Sequence, residues 1–255
     1  MSASDPVTPR RAAAVALARE RAGGGIEIFM VRRHIRSEFV PDAFVFPGGS
    51  VSPGDVATEQ QPGLVAPVED DAGAAALGTG FRVAALRECF EEAGVLLARR
   101  AGEPLAIGSS DVARFAVYRE ESQRGTVTLG QVAEREGLTL ATDTLVHWAH
   151  WITPEAFPKR FDTHFFLAEM PVGQQAAHDE LETTAGVWVM PEAALADFEC
   201  GEFPLVFATI HQLRELSGLA NVAAARTRFA GTPQTIMPRV VKRDGQDVIL
   251  LPDEE

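Results

Sequence analysis

An α+β domain is what this sequence predicts, and three observations predict it. β-rich apolar runs recur at Arg11–Ala18, Ile26–Arg33, Ala43–Phe46, His147–Ile152, Phe161–Ala168 and Val187–Met190. The stretch Arg82–Ala93 carries apolar residues at helical spacing with no Pro and no internal Gly. Further helical patterns lie outside these strands rather than alternating with them, at Ser110–Glu120, Leu129–Glu136, from Pro191 and at Leu205–Leu216.

The first two strands read as a hairpin about Gly23-Gly24-Gly25, and Ile26–Val31 has the character of a central strand. Ala43-Phe-Val-Phe46 then runs into Gly48-Gly49, a strand ending in a turn whose N–H groups can approach a phosphate closely. In the Arg82–Ala93 helix, at about 100° per residue, Val83, Leu86 and Phe90 form a core stripe. Glu88, Glu91 and Glu92 fall on the opposite side, and Gly94 supplies a left-handed stop. Like charges at these spacings repel. A hard divalent cation such as Mg²⁺ or Mn²⁺, which prefers oxygen ligands, would reverse that repulsion. The plainer alternative is a solvated acidic face. Arg87, four residues before Glu91, can hold that carboxylate in one rotamer.

Composition narrows the classes. A chain of 255 residues with 46% hydrophobic content is one large domain or one domain with a substantial insert. A net charge of −13 opposes binding to nucleic acid or to an anionic membrane. It leaves room for a small anionic substrate, because metal ions and local Arg residues invert the field inside a pocket. Cys89 and Cys200 do not form a disulfide framework, and Cys89 reads as a small filler between the two faces of its helix. No apolar run is long enough to span a bilayer, and no signal peptide or peroxisomal address is recognisable, so a cytoplasmic location is expected. Residues 1–10 read as a disordered tail and 11–255 as a single domain, with inserts near 56–80 and 104–142.

Gly49, five residues, Asp55, and then Arg87-Glu88-Cys89-Phe90-Glu91-Glu92-Ala93-Gly94 resembles the signature box of the Nudix hydrolases. The family has Glu where Asp55 stands, and a much shorter spacer than Val56–Leu86. The surplus, rich in Ala, Gly and Pro with an acidic patch at Glu69-Asp70-Asp71, is expected to be a surface loop. A long insert here, with Trp151–Pro154 and Arg160–Phe166 downstream, is similar to the branch containing peroxisomal coenzyme A diphosphatases. The similar segments run from about Arg11 to Glu215.

The resemblance implies an α/β/α sandwich with a mixed sheet, an inserted loop within the box and an added helical region. It implies Mg²⁺ or Mn²⁺ held by Glu88, Glu91 and Glu92, with Arg87 orienting the cluster. The general base stays open between Glu91 or Glu92 and Glu182, with Glu180 as the near alternative to Glu182. Gly48 and Gly49 would let the backbone reach the site. Arg33, Arg36 and Arg160 are candidates for substrate phosphates, against the alternative of ordinary charges at strand ends. The implied reaction is hydrolysis of a nucleoside diphosphate linked to another moiety, with coenzyme A or acyl-CoA foremost. NADH- or ADP-ribose-type dinucleotides and a non-catalytic ligand-binding module are the alternatives. Family members are often homodimers, and a small nucleotide-type molecule is the expected partner.

Two further features stand beside these. His147, His150 and His164 invite a zinc site, but alternating strands favour core or edge roles for them. The helical pair at Ser110–Glu120 and Leu129–Glu136, the second closed by Gly137, is expected to pack, while the family resemblance implies the alternative of a pocket-covering role.

Overall fold

The computed structural model describes residues 6–36, 40–68, 77, 79–179 and 182–254. The acidic patch of residues 69–71 and Glu180 lie outside them, as do Met1–Asp5 of the expected tail. In chain order the elements are β1 (Arg10–Glu20), β2 (Ile26–Arg33), β3 (Phe44–Val45), β4 (Gly48–Ser50), α1 (Pro53–Glu59) and α2 (Phe81–Ala93). Then come β5 (Ala98–Arg100), β6 (Glu103–Pro104), α3 (Val112–Gln123), α4 (Leu129–Glu136) and β7 (Leu138–Leu140). The remainder is β8 (Val146–Ile152), β9 (Phe161–Glu169), β10 (Thr183–Val189), α5 (Pro191–Glu199), α6 (Phe207–Leu216), α7 (Val222–Arg228), β11 (Thr235–Ile236), β12 (Arg239–Arg243) and β13 (Gln246–Leu250).

The main sheet runs β10-β2-β1-β9-β8-β11, with β3 added to β2 and β4 to β1. It is mixed: β1 pairs with β9, and β8 with β11, in parallel, while the other pairs are antiparallel. β1 is buried on both faces. Val15 and Leu17 face one layer, while Ala14, Ala16 and Ala18 give the other layer room to approach. On the first face α2 packs Val83, Leu86 and Phe90 against Val15, Phe29 and Phe166. On the second, Leu213 and Leu216 of α6 and Val222 and Ala225 of α7 cover Ile28, Met30, Trp148 and Leu167. Each fully buried Leu or Phe contributes about 1.5–3 kcal/mol of transfer free energy. The result is the expected α/β/α sandwich.

Several local expectations change. The first part of the long spacer is not loop: Ser52 and Asp55 close a capping box that starts α1, with Pro53 in its first turn. Val65 and Leu140 form an isolated parallel bridge. α3 starts at Val112 with Asp111 at its N-cap, so Ser110 is not the cap. α6 starts at Phe207, because Leu205 bridges to Phe44 instead. α4 and its stop at Gly137 (φ 62°) fall where the sequence places them.

Candidate active site

The largest departure from a simple amphipathic reading concerns α2. The three glutamates do lie across the helix from the core stripe, yet they are buried: Glu88 is 7%, Glu91 9% and Glu92 4% exposed. β4, Asp179, Glu182 and the end of α3 border the same cavity of about 990 Å³. A solvated acidic face is therefore ruled out by packing.

Arg87 organises the group. Its Nη1 donates to Glu88 Oε1 at 2.7 Å and to Glu91 Oε2 at 2.8 Å. Its Nε donates to Asp55 Oδ1 at 2.9 Å, and its Nη2 to Asp55 Oδ2 at 3.1 Å and to the Ser50 carbonyl at 2.8 Å. Asp55 thus reaches the carboxylate cluster through Arg87, while its Oδ2 also accepts from Ser52 N–H at 2.8 Å. Ser122 Oγ donates to Glu91 Oε1 at 2.5 Å, and Gly48 N–H to Glu92 Oε2 at 3.0 Å. Both oxygens of Glu91 are consequently engaged.

One positive side chain among several carboxylates does not neutralise them. Burial, opposed by Arg87 and reinforced by Glu91, pushes the Glu88 carboxyl up to about 7. Burial, with Glu88 adding to it, holds the Glu92 carboxyl well above the usual carboxylate range. Burial lowers the tendency of Arg87 to stay protonated, but Glu88, Asp55 and Glu91 outweigh it and raise its pKa. The site carries excess buried negative charge built from oxygen donors only. That donor chemistry fits a hard divalent cation, which Glu88, Glu91 and Glu92 could hold.

The two glycines are explained by space. A Cβ on Gly49 would run into the Glu88 carboxylate, and one on Gly48 would sit 2.6 Å from the Ala14 Cβ and 2.8 Å from the Ala13 carbonyl. Only a bare backbone lets β4 lie between β1 and α2.

Of the arginines expected at substrate, Arg33 lines the cavity, and among the described residues its buried Nε has no hydrogen-bond partner. Arg36 and Arg160 are not among the residues lining it. Arg36 is exposed beyond the end of β2. The buried Arg160 guanidinium donates to the carbonyls of Thr153 (3.0 Å) and Val7 (2.8 Å), fastening the chain ahead of β1 to the β8–β9 connection. Burial and these carbonyls give Arg160 a tying role rather than the phosphate contact expected of it. Glu182 does line the cavity, close enough to Glu88 and Glu92 for its charge to raise both.

Sequence reasoning missed Asp179, Ser122 and Gln123. Asp179 is 6% exposed and accepts from Thr183 Oγ1 (2.7 Å), Thr183 N–H (2.9 Å) and Gln123 Nε2 (3.0 Å), pinning the segment that carries Glu182. Gln123 Nε2 and Arg119 Nε also donate to the Glu91 carbonyl, at 2.8 and 2.9 Å. The α3 end therefore lines the cavity, which goes beyond packing alone. An acid four residues before a Thr that opens a strand is the one available sequence signal, a local side-chain-to-backbone turn. Cys89, by contrast, is fully buried behind this face, and burial pushes its thiol up to about 12.

A mixed sheet between two helical layers, with an acidic helix set against a Gly-Gly turn, defines the Nudix class. The chain belongs to that family: the model of the NUDT19 Nudix domain matches residues 58–216. A Nudix hydrolase from Alicyclobacillus acidocaldarius shares the fold with a TM-score of 0.69 at 27% identity, over 89% of this chain and 99% of that one. The acyl-coenzyme A diphosphatase NUDT19 of Xenopus laevis is 27% identical over 77% of this chain and 60% of its own length. Its namesake in Gallus gallus is 27% identical over 77% and 62%. The chain thus spans about three fifths of the length of these curated relatives.

Proposed function

We propose that this chain hydrolyses a phosphoanhydride, cleaving a nucleoside diphosphate joined to another group, with coenzyme A or its thioesters as the preferred substrates. The observation that carries the hydrolytic reading is the buried Glu88–Glu91–Glu92 cluster facing the cavity. The names of the relatives support coenzyme A in particular. NADH- and ADP-ribose-type dinucleotides are the competing substrates of the same chemistry.

A bound Mg²⁺ or Mn²⁺ would neutralise the diphosphate and acidify an attacking water. Arg87 fixes Glu88 and Glu91 in place, and Gly48 N–H orients Glu92. The Arg33 Nε, without a hydrogen-bond partner among the described residues, is suited to a phosphate oxygen. Among the described residues no hydrogen bond ties the Glu182 carboxylate. Glu182 is therefore the group assigned to take the proton as the water oxygen bonds to phosphorus and the bridging P–O bond breaks. No described helix is long and apolar enough to cross a membrane. Cytoplasmic residence and a homodimer belong to the same proposal, the latter tested by sedimentation.

The deciding experiment incubates the protein with coenzyme A, an acyl-CoA, NADH, ADP-ribose and a dinucleoside polyphosphate, each with Mg²⁺ or Mn²⁺. Glu91→Gln and Glu92→Gln serve as controls. Coenzyme A or acyl-CoA should turn over fastest, and each variant should lose more than about 10²-fold in rate. Turnover of none by the unaltered chain would leave a binding module.

A further inference from the structure

A second cavity, of about 660 Å³, opens beside the main sheet near β8, β9 and α2, and it shares no lining residue with the first. His147, His150, Asp162 and His164 line it. His150 and His164 are direct partners across the antiparallel β8–β9 pair, and Asp162 lies two residues from His164 on the same face. His147 is three residues from His150, which simple alternation would send to the opposite face. The register shift between His147 and Ala149 brings it to this side.

We infer that His150, Asp162 and His164 form a binding site for a zinc-class divalent transition ion, separate from the carboxylate cluster of α2. One ligand atom from each of the three lies within 4.8 Å of the other two. Asp162 Oδ1 stands 2.5 Å from His150 Nε2 and 3.8 Å from His164 Nε2, and the two imidazoles lie stacked, with centroids 3.9 Å apart and planes 12° from parallel. An ion with bonds of about 2.0–2.2 Å would be reached by all three once the stacked His150 and His164 rings rotate apart, so that their Nε2 atoms converge.

The other ring nitrogens are also provided for. His164 Nδ1 lies 2.9 Å from His147 Nε2, and His150 Nδ1 lies 2.8 Å from Thr235 Oγ1. Metal-ligating imidazoles characteristically give their second N–H to such a partner, which sets tautomer and ring angle. Two nitrogens and one oxygen form a borderline donor set that suits zinc and its neighbours, whereas the all-oxygen cluster suits Mg²⁺. The Asp162 side chain is 30% exposed, which leaves a route in from solvent. Arg11 also lines this cavity, but its guanidinium stacks on Phe81 at 4.4 Å and donates to the Thr79 carbonyl. Three protein ligands and a cavity beside them leave a fourth position for water or an exogenous ligand.

The test uses the full chain, stripped with chelator and titrated with Co²⁺ under visible absorption, then with Zn²⁺ by equilibrium dialysis in excess Mg²⁺. The expected result is one nitrogen-ligated Co²⁺ band and one Zn²⁺ equivalent, both retained in Glu91→Gln/Glu92→Gln. Both should disappear in His164→Asn and in the nearly isosteric Asp162→Asn. Thr235→Val should weaken Zn²⁺ binding by about 10–100-fold. Circular dichroism identifies any variant that does not fold, and the remaining variants then decide. Absence of the band, its persistence in both ligand variants, or its loss in the glutamate double variant would overturn the assignment. Retention in the double variant is independent of hydrolytic activity, so this outcome stands apart from that of the substrate screen.

Discussion

Asp55 and Arg87 meet in a two-point ion pair, Nε to Oδ1 at 2.9 Å and Nη2 to Oδ2 at 3.1 Å, across the whole of the long spacer. The Asp55 side chain is 2% exposed and that of Arg87 13%. This pair joins the start of α1 to the helix that presents the glutamates. The acid is shorter than the Glu expected of the family, and it performs a structural task by holding the arginine that holds the cluster.

Asp55→Ala leaves Arg87 short of a buried partner and removes half of a capping box. Breaking a buried pair from one side costs about 3–5 kcal/mol. Urea unfolding should show a loss of that size, with the midpoint falling at unchanged slope. A loss under about 1 kcal/mol would mean the pair is dispensable.

Glu182→Gln tests the proton acceptor. With a preferred substrate and saturating Mg²⁺, kcat should fall by about 10²–10⁴-fold while KM changes little. An unaltered kcat would return the assignment to Glu91 or Glu92.

The stability of metal-free protein should fall as pH rises. Glu88 titrates near 7 in the folded chain against an ordinary 4.5, so between those values the folded state binds more protons than the unfolded one. Stability is then fully present below about 4.5 and is lost as pH rises through 7, by about 3 kcal/mol for this group. The raised Glu92 carboxyl acts in the same direction. Thermal melts in EDTA from pH 5 to pH 8 should record the decline. Mn²⁺ should offset it increasingly at higher pH, because the ion competes with protons for the same oxygens.

Gly49→Ala places a methyl group against the Glu88 carboxylate. Overpacking of this kind costs about 1–3 kcal/mol. The variant should melt lower and bind Mn²⁺ more weakly in calorimetry. Binding equal to that of the unaltered chain would show that Glu88 has an alternative rotamer compatible with the ion.

The legible parts of this molecule are the local ones. Gly94 and Gly137 stop their helices in the left-handed region because the requirement lies within one turn of chain. The Arg87–Glu91 contact follows from helical spacing alone. The Nudix resemblance placed the glycine turn against the acidic helix, and the sheet and its two helical layers agree with that. What spacing did not disclose depends on distant partners. Glu92 meets the Gly48 N–H of β4 and the charge of Glu182, Ser122 reaches Glu91 from another helix, and Asp179 accepts from the backbone of Glu182 and Thr183 at the start of β10. Arg160 misleads for the same reason: a basic residue entering a strand looks available until the carbonyls of Thr153 and Val7 surround it. The histidines on β8 come together through a register irregularity that no alternating pattern encodes.

The depth of Cys89 has a use outside catalysis. Cys200 is exposed and open to alkylation in the native protein, whereas Cys89 lies on the inner side of α2 with its thiolate strongly disfavoured. The second thiol to be labelled therefore reports how often this helix comes away from the sheet. Mass spectrometry of a labelling time course can follow that local opening without any added probe. Ligands that clamp the glutamate face should lengthen the delay.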